Sequence, residues 1–171
     1  MASLFHISED PRIREFVPRQ SEVASDTVVW AIDDEHVRNY LVPRDCPRVT
    51  YAAGSKTTPA DRERFLGESA AVLAIEDGWL ERLRTCRLYC YELPRHAFER
   101  FDESAGYYVS RVPVAPSRVR VVDDPISQLK GRQVDLRALP TLWPLYDQVV
   151  TSTLQFSIIR MRNALPRQLI R

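Results

Sequence analysis

The segment from Val28 to Arg48 constrains the fold of this chain more than any other stretch. Residues 27–32 form an apolar run rich in β-branched and aromatic side chains, which is typical of a central strand. Asp33 and Asp34 follow and suit the start of a short helix, and Pro43 ends that helix. The segment therefore predicts a buried strand, a short helix and a polar loop in direct succession.

Other short strands are predicted along the chain, with helices between some of them. The predicted strands cover residues 2–8, 48–53, 70–75, 87–93, 106–110 and 117–122. Helices are predicted after Thr58 and near Trp79, and over residues 142–161, where apolar side chains recur at helical spacing. A helical turn is predicted over residues 94–101, with Ala97, Phe98 and Phe101 buried. Since regular β–α alternation is missing, the pattern predicts one α+β domain over residues 1–171. We expect a mixed or mostly antiparallel sheet flanked by short helices, with a longer C-terminal helix.

The strand predicted at residues 117–122 alternates two residue types. Val119 and Val121 alternate with Arg118 and Arg120, so the two valines share one face of the strand. This alternation predicts a half-buried strand.

Composition and charge narrow the class of protein. Apolar residues make up 44% and charged residues 27% of the 171 residues, which is typical of a globular protein. The net charge is only +1, so nucleic acid is not expected as a main partner, because phosphate binding requires a surplus of positive charge. No apolar run reaches the roughly 20 residues that span a bilayer, and no secretory leader is visible. Three cysteines without a disulfide pattern favour a reducing compartment, and we expect a cytoplasmic protein.

Two histidines are candidate catalytic residues. His6 lies at the end of the first predicted strand, close to Ser8, where it can bond a ribose hydroxyl or act as an acid or base. The alternative is a core histidine whose hydrogen bonds are satisfied. His36 lies on the short helix, one turn before Tyr40. Its alternative is an exposed histidine on a surface helix.

The loop of residues 43–48 is the densest polar segment. Its two prolines hold Arg44 and Arg48 in place, and a pre-positioned pair of guanidiniums suits a phosphate or pyrophosphate, with Asp45 orienting one of them. The alternative is that the loop has only a structural role and connects two elements, with Asp45 forming a turn and an internal ion pair. Cys46 is a candidate nucleophile beside His36 or His6, although a lone cysteine is usually inert.

Metal binding is not expected from this sequence. Cys86 and Cys90 lack the second pair of ligands that a zinc site needs, and the three histidines are scattered.

An aromatic pair follows a short acidic turn later in the chain. Tyr107 and Tyr108 occupy adjacent strand positions and point to opposite faces, so only one of them can line a cleft, and the sequence leaves open which one. A tyrosine ring can stack on a base or on nicotinamide, or it can serve as plain packing. We expect His6, the loop 43–48 and one of these tyrosines to meet in one cleft.

Four motifs in the chain resemble those of a family of small bacterial proteins of unknown function. The motifs are Phe5-His6-Ile7-Ser8-Glu9-Asp10, Val29-Trp30-Ala31-Ile32-Asp33, Pro43-Arg44-Asp45-Cys46-Pro47-Arg48 and Ala105-Gly106-Tyr107-Tyr108-Val109-Ser110. The resemblance covers nearly the whole length and implies no activity.

The order of elements also resembles the ADP-ribosyltransferase fold, which includes the RNA 2′-phosphotransferases. By this resemblance His6 holds the nicotinamide ribose, while Trp30-Ala31 and Tyr40 correspond to the second strand and the helix after it. The later strand of the fold presents a catalytic glutamate or arginine. Residues 106–110 contain no glutamate, but Glu103 precedes this strand and Arg111 follows it.

This second resemblance implies a ligand and a set of contacts. The ligand is a small nucleotide, NAD or another phosphorylated ribose. His6 and Ser8 hold the ribose, Trp30 or Tyr107 stacks on the base, and Arg44 and Arg48 take the phosphates; Tyr40, Asp45, Tyr108 and Ser110 complete the expected contacts. The alternative is a catalytically inactive module of the same fold that binds a nucleotide or a protein. RNA-end processing by Arg44, Arg48 and Arg111 is a third option, which the low net charge opposes. The sequence does not reveal the oligomeric state.

Overall fold

The computed structural model describes residues 3–167, which contain eleven strands and four α-helices. These elements divide between two compact units, each built on its own sheet. The first unit contains the chain up to Leu41 together with Arg87–Asp123, and the second contains Val42–Cys86 and the chain from Asp124 onward. The predicted α+β class is confirmed, with two sheets instead of one. The assignment of residues 1–171 to a single domain stays a prediction.

The strands are numbered in chain order. They are β1 (Leu4–Ser8), β2 (Arg19–Ser21), β3 (Asp26–Ile32), β4 (Arg48–Ala52), β5 (Ala71–Glu76), β6 (Leu88–Leu93), β7 (Glu99–Asp102), β8 (Tyr107–Ser110), β9 (Arg118–Val122), β10 (Val134–Leu139) and β11 (Gln155–Ile159). The α-helices are α1 (Pro59–Phe65), α2 (Leu80–Thr85), α3 (Pro125–Gly131) and α4 (Trp143–Val150). Short 3-10 helices cover His36–Tyr40, Asp77–Trp79, Arg95–Ala97 and Met161–Asn163.

The first unit is an antiparallel sheet whose strands lie in the order β7-β8-β3-β1-β6-β9, with β2 also paired to β3. One face of this sheet carries the core of the unit, where Val29, Tyr91 and Tyr108 pack with Phe16 and Val114. Phe16 and Val114 exchange two backbone hydrogen bonds of 2.8 and 2.9 Å. These bonds join two segments outside the named strands, and both residues contribute their side chains to the core.

The second unit combines a four-stranded sheet, in the order β10-β5-β4-β11, with all four α-helices. The β10–β5 pair is parallel and the other two pairs are antiparallel. Every residue of β5 is buried, which explains its uninterrupted apolar run. The side chain of Thr58 accepts the backbone N–H of Asp61 at 3.2 Å, so the predicted cap of α1 is confirmed.

The prediction that one helix covers residues 142–161 is wrong. The helix α4 ends at Val150, and Gln155–Ile159 forms β11, antiparallel to β4. The apolar residues of this segment satisfy both the helical and the strand spacing. Pairing with a buried strand decides between the two, because Phe156 and Ile158 are good strand residues and the intervening Thr151-Ser152-Thr153 favours a break.

Two smaller predictions are also corrected. The helical turn predicted over residues 94–101 is limited to Arg95–Ala97, and Glu99–Asp102 forms β7, where the ring of Phe101 is exposed instead of buried. Strand β9 exists, but Val119 and Val121 are 42% and 54% exposed, so the strand is not half-buried. Among residues 3–167 there is no helix with the length and apolar character needed to cross a membrane.

Thr153 distinguishes the observed strand from the helix that the sequence suggested. Its hydroxyl donates to the Asp61 carboxylate at 2.5 Å and accepts the backbone N–H of Thr58 at 3.0 Å. We expect Thr153→Ala to lower the free energy of unfolding by about 1 kcal/mol in urea titrations, because these bonds are lost. A continuous helix would instead gain about 0.5 kcal/mol from the same change.

The pH dependence of this effect provides a second measurement. The Thr153 hydroxyl, followed by its backbone N–H, lowers the pKa of Asp61 below the ordinary 3.8. The stabilisation is therefore complete above pH 3.8 and is lost as the pH falls through the lowered pKa, so the cost of Thr153→Ala should shrink in acid. Thr151→Ala is the matched control, since its hydroxyl bonds only carbonyls at the end of α4. Equal effects of the two variants at pH 7 would contradict the assignment.

Candidate functional site

Asp33 and His36 form a hydrogen-bonded pair at the end of β3. The Oδ1 atom of Asp33 accepts the backbone N–H of His36 at 2.8 Å and lies 2.7 Å from the imidazole Nδ1. Because a carboxylate only accepts, Nδ1 carries the proton, and the lone pair of the neutral ring lies on Nε2. The Asp33–His36 pair thus fixes both the position and the tautomer of the imidazole.

His36 is buried, with 7% of its surface exposed, so the alternative interpretation as an exposed surface histidine is wrong. Its Nε2 atom is covered and has no hydrogen-bond partner among residues 3–167. A buried polar atom without a partner costs roughly 1–3 kcal/mol, and such atoms are enriched at functional sites. Nε2 is therefore an acceptor that a ligand hydroxyl or a bound water can satisfy.

Gly106 makes room for the Asp33–His36 pair. Its carbonyl accepts the backbone N–H of Asp33 at 3.0 Å, and its φ of +67° lies in the left-handed region. A Cβ atom at this position would lie 2.3 Å from His36 Nδ1 and 2.6 Å from Asp33 Oδ2. Glycine is the residue that fits here on both grounds.

Four aromatic side chains of the first unit lie close to one another. They are Trp30, Tyr40, Phe101 and Tyr107, and we call them the aromatic group. The rings of Phe101 and Tyr107 contact Trp30 edge to face, with centroids 5.0 and 5.5 Å away. The hydroxyls of Tyr40 and Tyr107 are 2.7 Å apart. Trp30, Tyr40 and Tyr107 are half-buried, and Phe101 is 42% exposed. The group therefore presents ring surface to solvent, and its Tyr107 follows directly after Gly106, which closely approaches the Asp33–His36 pair.

Strand pairing determines which predicted site residues share a face. Phe5 pairs with Ile32, and Ile32 pairs with Tyr107, so these three side chains point to one side of the sheet. His6 and Tyr108 point to the other side, where Tyr108 is buried in the core under the guanidinium of Arg95 at 4.5 Å. Of the two tyrosines, Tyr107 therefore belongs to the aromatic group.

The candidate residues His6 and Ser8 of β1 and Ser110 of β8 are engaged within the first unit. The Nδ1 atom of His6 lies 3.2 Å from the carbonyl oxygen of Trp30, and its ring contacts that of Phe16 at 4.7 Å. Ser8 accepts the backbone N–H of Asp10, while the buried Ser110 donates to the carbonyl of Val112. The structure does not bring His6 to the face that carries Tyr107.

The two candidates for a substitute catalytic residue are both ion-paired at the surface. Glu103 accepts from Arg100 at 2.9 Å, and Arg111 donates to Asp26 and Glu99 at 2.7 and 2.8 Å. Glu103 lies in an exposed turn, where its carboxylate is engaged by Arg100. In the same turn, the hydroxyl of Ser104, followed by the backbone N–H of Ala105, lowers the pKa of Asp102.

The loop 43–48 belongs to the second unit, where Arg48 is 2% exposed. Its guanidinium donates to the carbonyls of Arg44 and Cys46 at 3.1 and 2.9 Å. The side chains of Arg44 and Asp45 are exposed, and the Asp45 carbonyl accepts the side chain of Asn163 at 2.7 Å. Phosphate binding by Arg44 and Arg48 stays a prediction.

Cys46 is a poor nucleophile in this loop. It is fully buried, and burial raises the pKa of its thiol to about 12, while the nearby Arg48 opposes the shift. The reactive thiolate is therefore scarce near neutral pH. Residues 3–167 contain no cluster of three or more His, Cys, Asp or Glu side chains able to hold a metal ion.

The family described as "Family of unknown function (DUF6886)" matches residues 5–164, nearly the whole chain. The chain belongs to this family. The predicted resemblance to a family of unknown function is thereby confirmed, and the ADP-ribosyltransferase-like fold stays a prediction. Neither curated proteins nor solved structures yielded a match.

In this DUF6886 chain, sequence reasoning missed three contributors to the site. Asp33 was predicted only as a helix cap, Gly106 only as part of a strand, and Phe101 as a buried ring. One signal was available, since Asp33 and His36 are three residues apart at a helix start, a spacing at which side chains meet. No local signal marks Gly106 or Phe101, because their partners are distant in sequence.

Substitution of Gly106 tests the close approach in the DUF6886 chain. We expect Gly106→Ala to lower the free energy of unfolding by about 2 kcal/mol more than Gly67→Ala. Gly67 also has a positive φ, of +55°, but nothing lies near its Cβ position, so it reports backbone strain alone. Urea titration of both variants gives the comparison. Equal losses would show that the Asp33–His36 pair does not require the space at Gly106.

Proposed function

We propose that this protein binds a nucleotide, NAD or another phosphorylated ribose, at the aromatic group and the Asp33–His36 pair. In this proposal it acts as an ADP-ribosyltransferase-like enzyme. The observation that carries the proposal is the unpartnered Nε2 of His36, held by Asp33 next to partly exposed rings. A nucleoside offers both complementary features, which are a flat ring and ribose hydroxyls.

The aromatic group supports binding of a planar ring. Stacking of a base on an aromatic side chain contributes roughly 1–3 kcal/mol and tolerates different bases, because every base has a π face. Phe101 and Tyr107 both contact the indole of Trp30, so the rings are held in place before a ligand arrives. A ligand then loses less free energy to ordering the site.

The Asp33–His36 pair supports recognition of a hydroxyl. Nε2 can accept a hydrogen bond from a ribose hydroxyl, or it can act as a general base and take the proton of an attacking hydroxyl or water. In the second case, the nucleophile attacks the anomeric carbon, the bond from this carbon to the nicotinamide nitrogen breaks, and nicotinamide leaves with the electron pair. The proton of the nucleophile passes to His36. Since Nε2 is covered, binding of a ligand to this atom requires a local movement around the ring.

A specific observation favours a second candidate function, a catalytically inactive nucleotide- or protein-binding module. Strand β8 carries no acidic residue, and the Glu103 carboxylate is engaged by Arg100. Without a carboxylate close to the developing positive charge of the ribose, a principal source of transition-state stabilisation is missing. A protein that keeps the ring-binding surface without this group binds the nucleotide and releases no nicotinamide.

Binding is tested with calorimetry and thermal shift against NAD, ADP-ribose and AMP. A ligand at 100 times its Kd should add about 2.7 kcal/mol of stability. We expect Phe101→Ala to weaken binding about tenfold through loss of one stacking ring. Phe156→Ala is the matched control, because both rings are 42% exposed and Phe156 lies in the second unit. Absence of a shift with all three ligands, or equal effects of the two variants, would contradict the proposal.

Catalysis is tested by incubating the protein with NAD and measuring free nicotinamide by chromatography. An enzyme releases nicotinamide, and we expect Asp33→Asn to slow this release about tenfold or more while NAD binding is kept, because the imidazole loses its fixed tautomer. His36→Gln should reduce it further. Binding of NAD without release by the unmodified chain would instead establish the inactive module.

A further inference from the structure

Strand β9 is an edge of the first sheet. It pairs with β6 over five consecutive residues in regular register, and within residues 3–167 no strand is paired to its other side. Every second residue of an edge strand directs its backbone N–H and C=O away from the sheet. The outer edge of β9 is therefore a template for one more strand.

This edge lacks most of the features that usually prevent strand addition. Natural edges are protected by charged side chains, above all lysine, or by proline, a bulge or a covering segment. The opposite edge, β7, shows such protection, because its register with β8 shifts between Arg100 and Asp102. Strand β9 contains no lysine, proline or bulge, and its two arginines lie on one face, where they oppose a basic partner and not an acidic one. Its Val119 and Val121 are 42% and 54% exposed on one face.

The other face of β9 is positively charged. Neither Arg118 nor Arg120 forms an ion pair in the described part of the chain, whereas Arg87 and Arg111 both do. Arg120 lies over the ring of Phe5 at 5.8 Å and faces Cys90 across the strand pair. Glu92 lies across from Arg118, and its carboxylate accepts the hydroxyl of Ser3; this one carboxylate against two guanidiniums leaves the face with a net positive charge.

We propose that β9 binds an extended segment of a partner protein as an added antiparallel strand, in which acidic and apolar residues alternate. Directly opposed side chains in an antiparallel pair contact each other. Acidic residues of the segment then lie opposite Arg118 and Arg120, and apolar residues lie opposite Val119 and Val121. This mode of recognition takes its affinity from the backbone bonds and its specificity from alternate side chains.

A second copy of this chain fits the edge less well. An antiparallel β9–β9 pair that opposes Val119 to Val121 of the other copy places the two Arg120 side chains directly opposite each other. Like charges in that position are destabilising. The charge of the edge thus favours an acidic partner over self-association. This inference rests on β9 alone and is independent of the nucleotide site.

The test measures fluorescence anisotropy of labelled seven-residue peptides on addition of the full chain. We expect a peptide of alternating glutamate and valine to bind about tenfold tighter than its lysine–valine counterpart. The double variant R118E/R120E should reverse this preference. The charge-matched control R14E/R19E changes two exposed arginines of the same unit that lie outside β9, and it should leave the preference unchanged.

Hydrogen exchange of the peptide complex adds a direct measure of strand addition. We expect increased protection of backbone amides within β9. Equal affinities for the two peptides, an equal response of the control variant, or unchanged protection of β9 would each overturn the proposal. So would a dimer in sedimentation equilibrium that protects β9 without peptide, since it would assign the edge to a second copy. All the substituted side chains are exposed, and circular dichroism checks that the variants fold.

Discussion

The hydrogen bonds of Asp33 are the constraint on which the arrangement of the first unit depends. The backbone N–H of Asp33 bonds the carbonyl of Gly106, and its carboxylate holds both the backbone and the ring of His36. One residue thus joins the end of β3 to the start of β8 and also begins the 3-10 helix that follows. Because Tyr40 lies on that helix and Tyr107 on that strand, the same bonds bring their hydroxyls within 2.7 Å. The positions of Tyr40 and Tyr107 in the aromatic group therefore depend on the hydrogen bonds that Asp33 makes.

In the second unit, the buried charge of Arg48 imposes a comparable constraint. A buried guanidinium must be bonded, and the carbonyls of Arg44 and Cys46 supply the bonds. Pro43 and Pro47 limit the conformations of the loop, so holding these carbonyls toward the guanidinium costs little entropy. The same packing buries Cys46 and raises the pKa of its thiol to about 12. The two prolines of the loop therefore help to hold the carbonyl groups that bond the Arg48 guanidinium. The side chain of Arg44 remains exposed.

The sequence predicts those elements whose signals are local. The β-branched run of β3 and the Thr58-Pro59 start of α1 depend on neighbouring residues, and both are found in the structure. The end of α4 and the strand β11 depend on pairing with β4, about 100 residues earlier in the chain. The candidate site likewise has one feature with a local signal and one that depends on a distant residue. The spacing of Asp33 and His36 is visible in the sequence, but the burial of His36 depends on the distant Gly106.

Alternation along a strand determines which side chains share a face, but it does not determine whether that face is covered. Val119 pairs with Tyr91, and both point to the side of the sheet that carries the core. Tyr91 is buried because Phe16 packs edge to face against its ring, at 5.3 Å. Val119 lies one strand further out and is exposed. Folding of the described chain thus gives Tyr91 a packing role and leaves Val119 and Val121 exposed, because this core extends to Tyr91 in β6 and includes no residue of the edge strand β9.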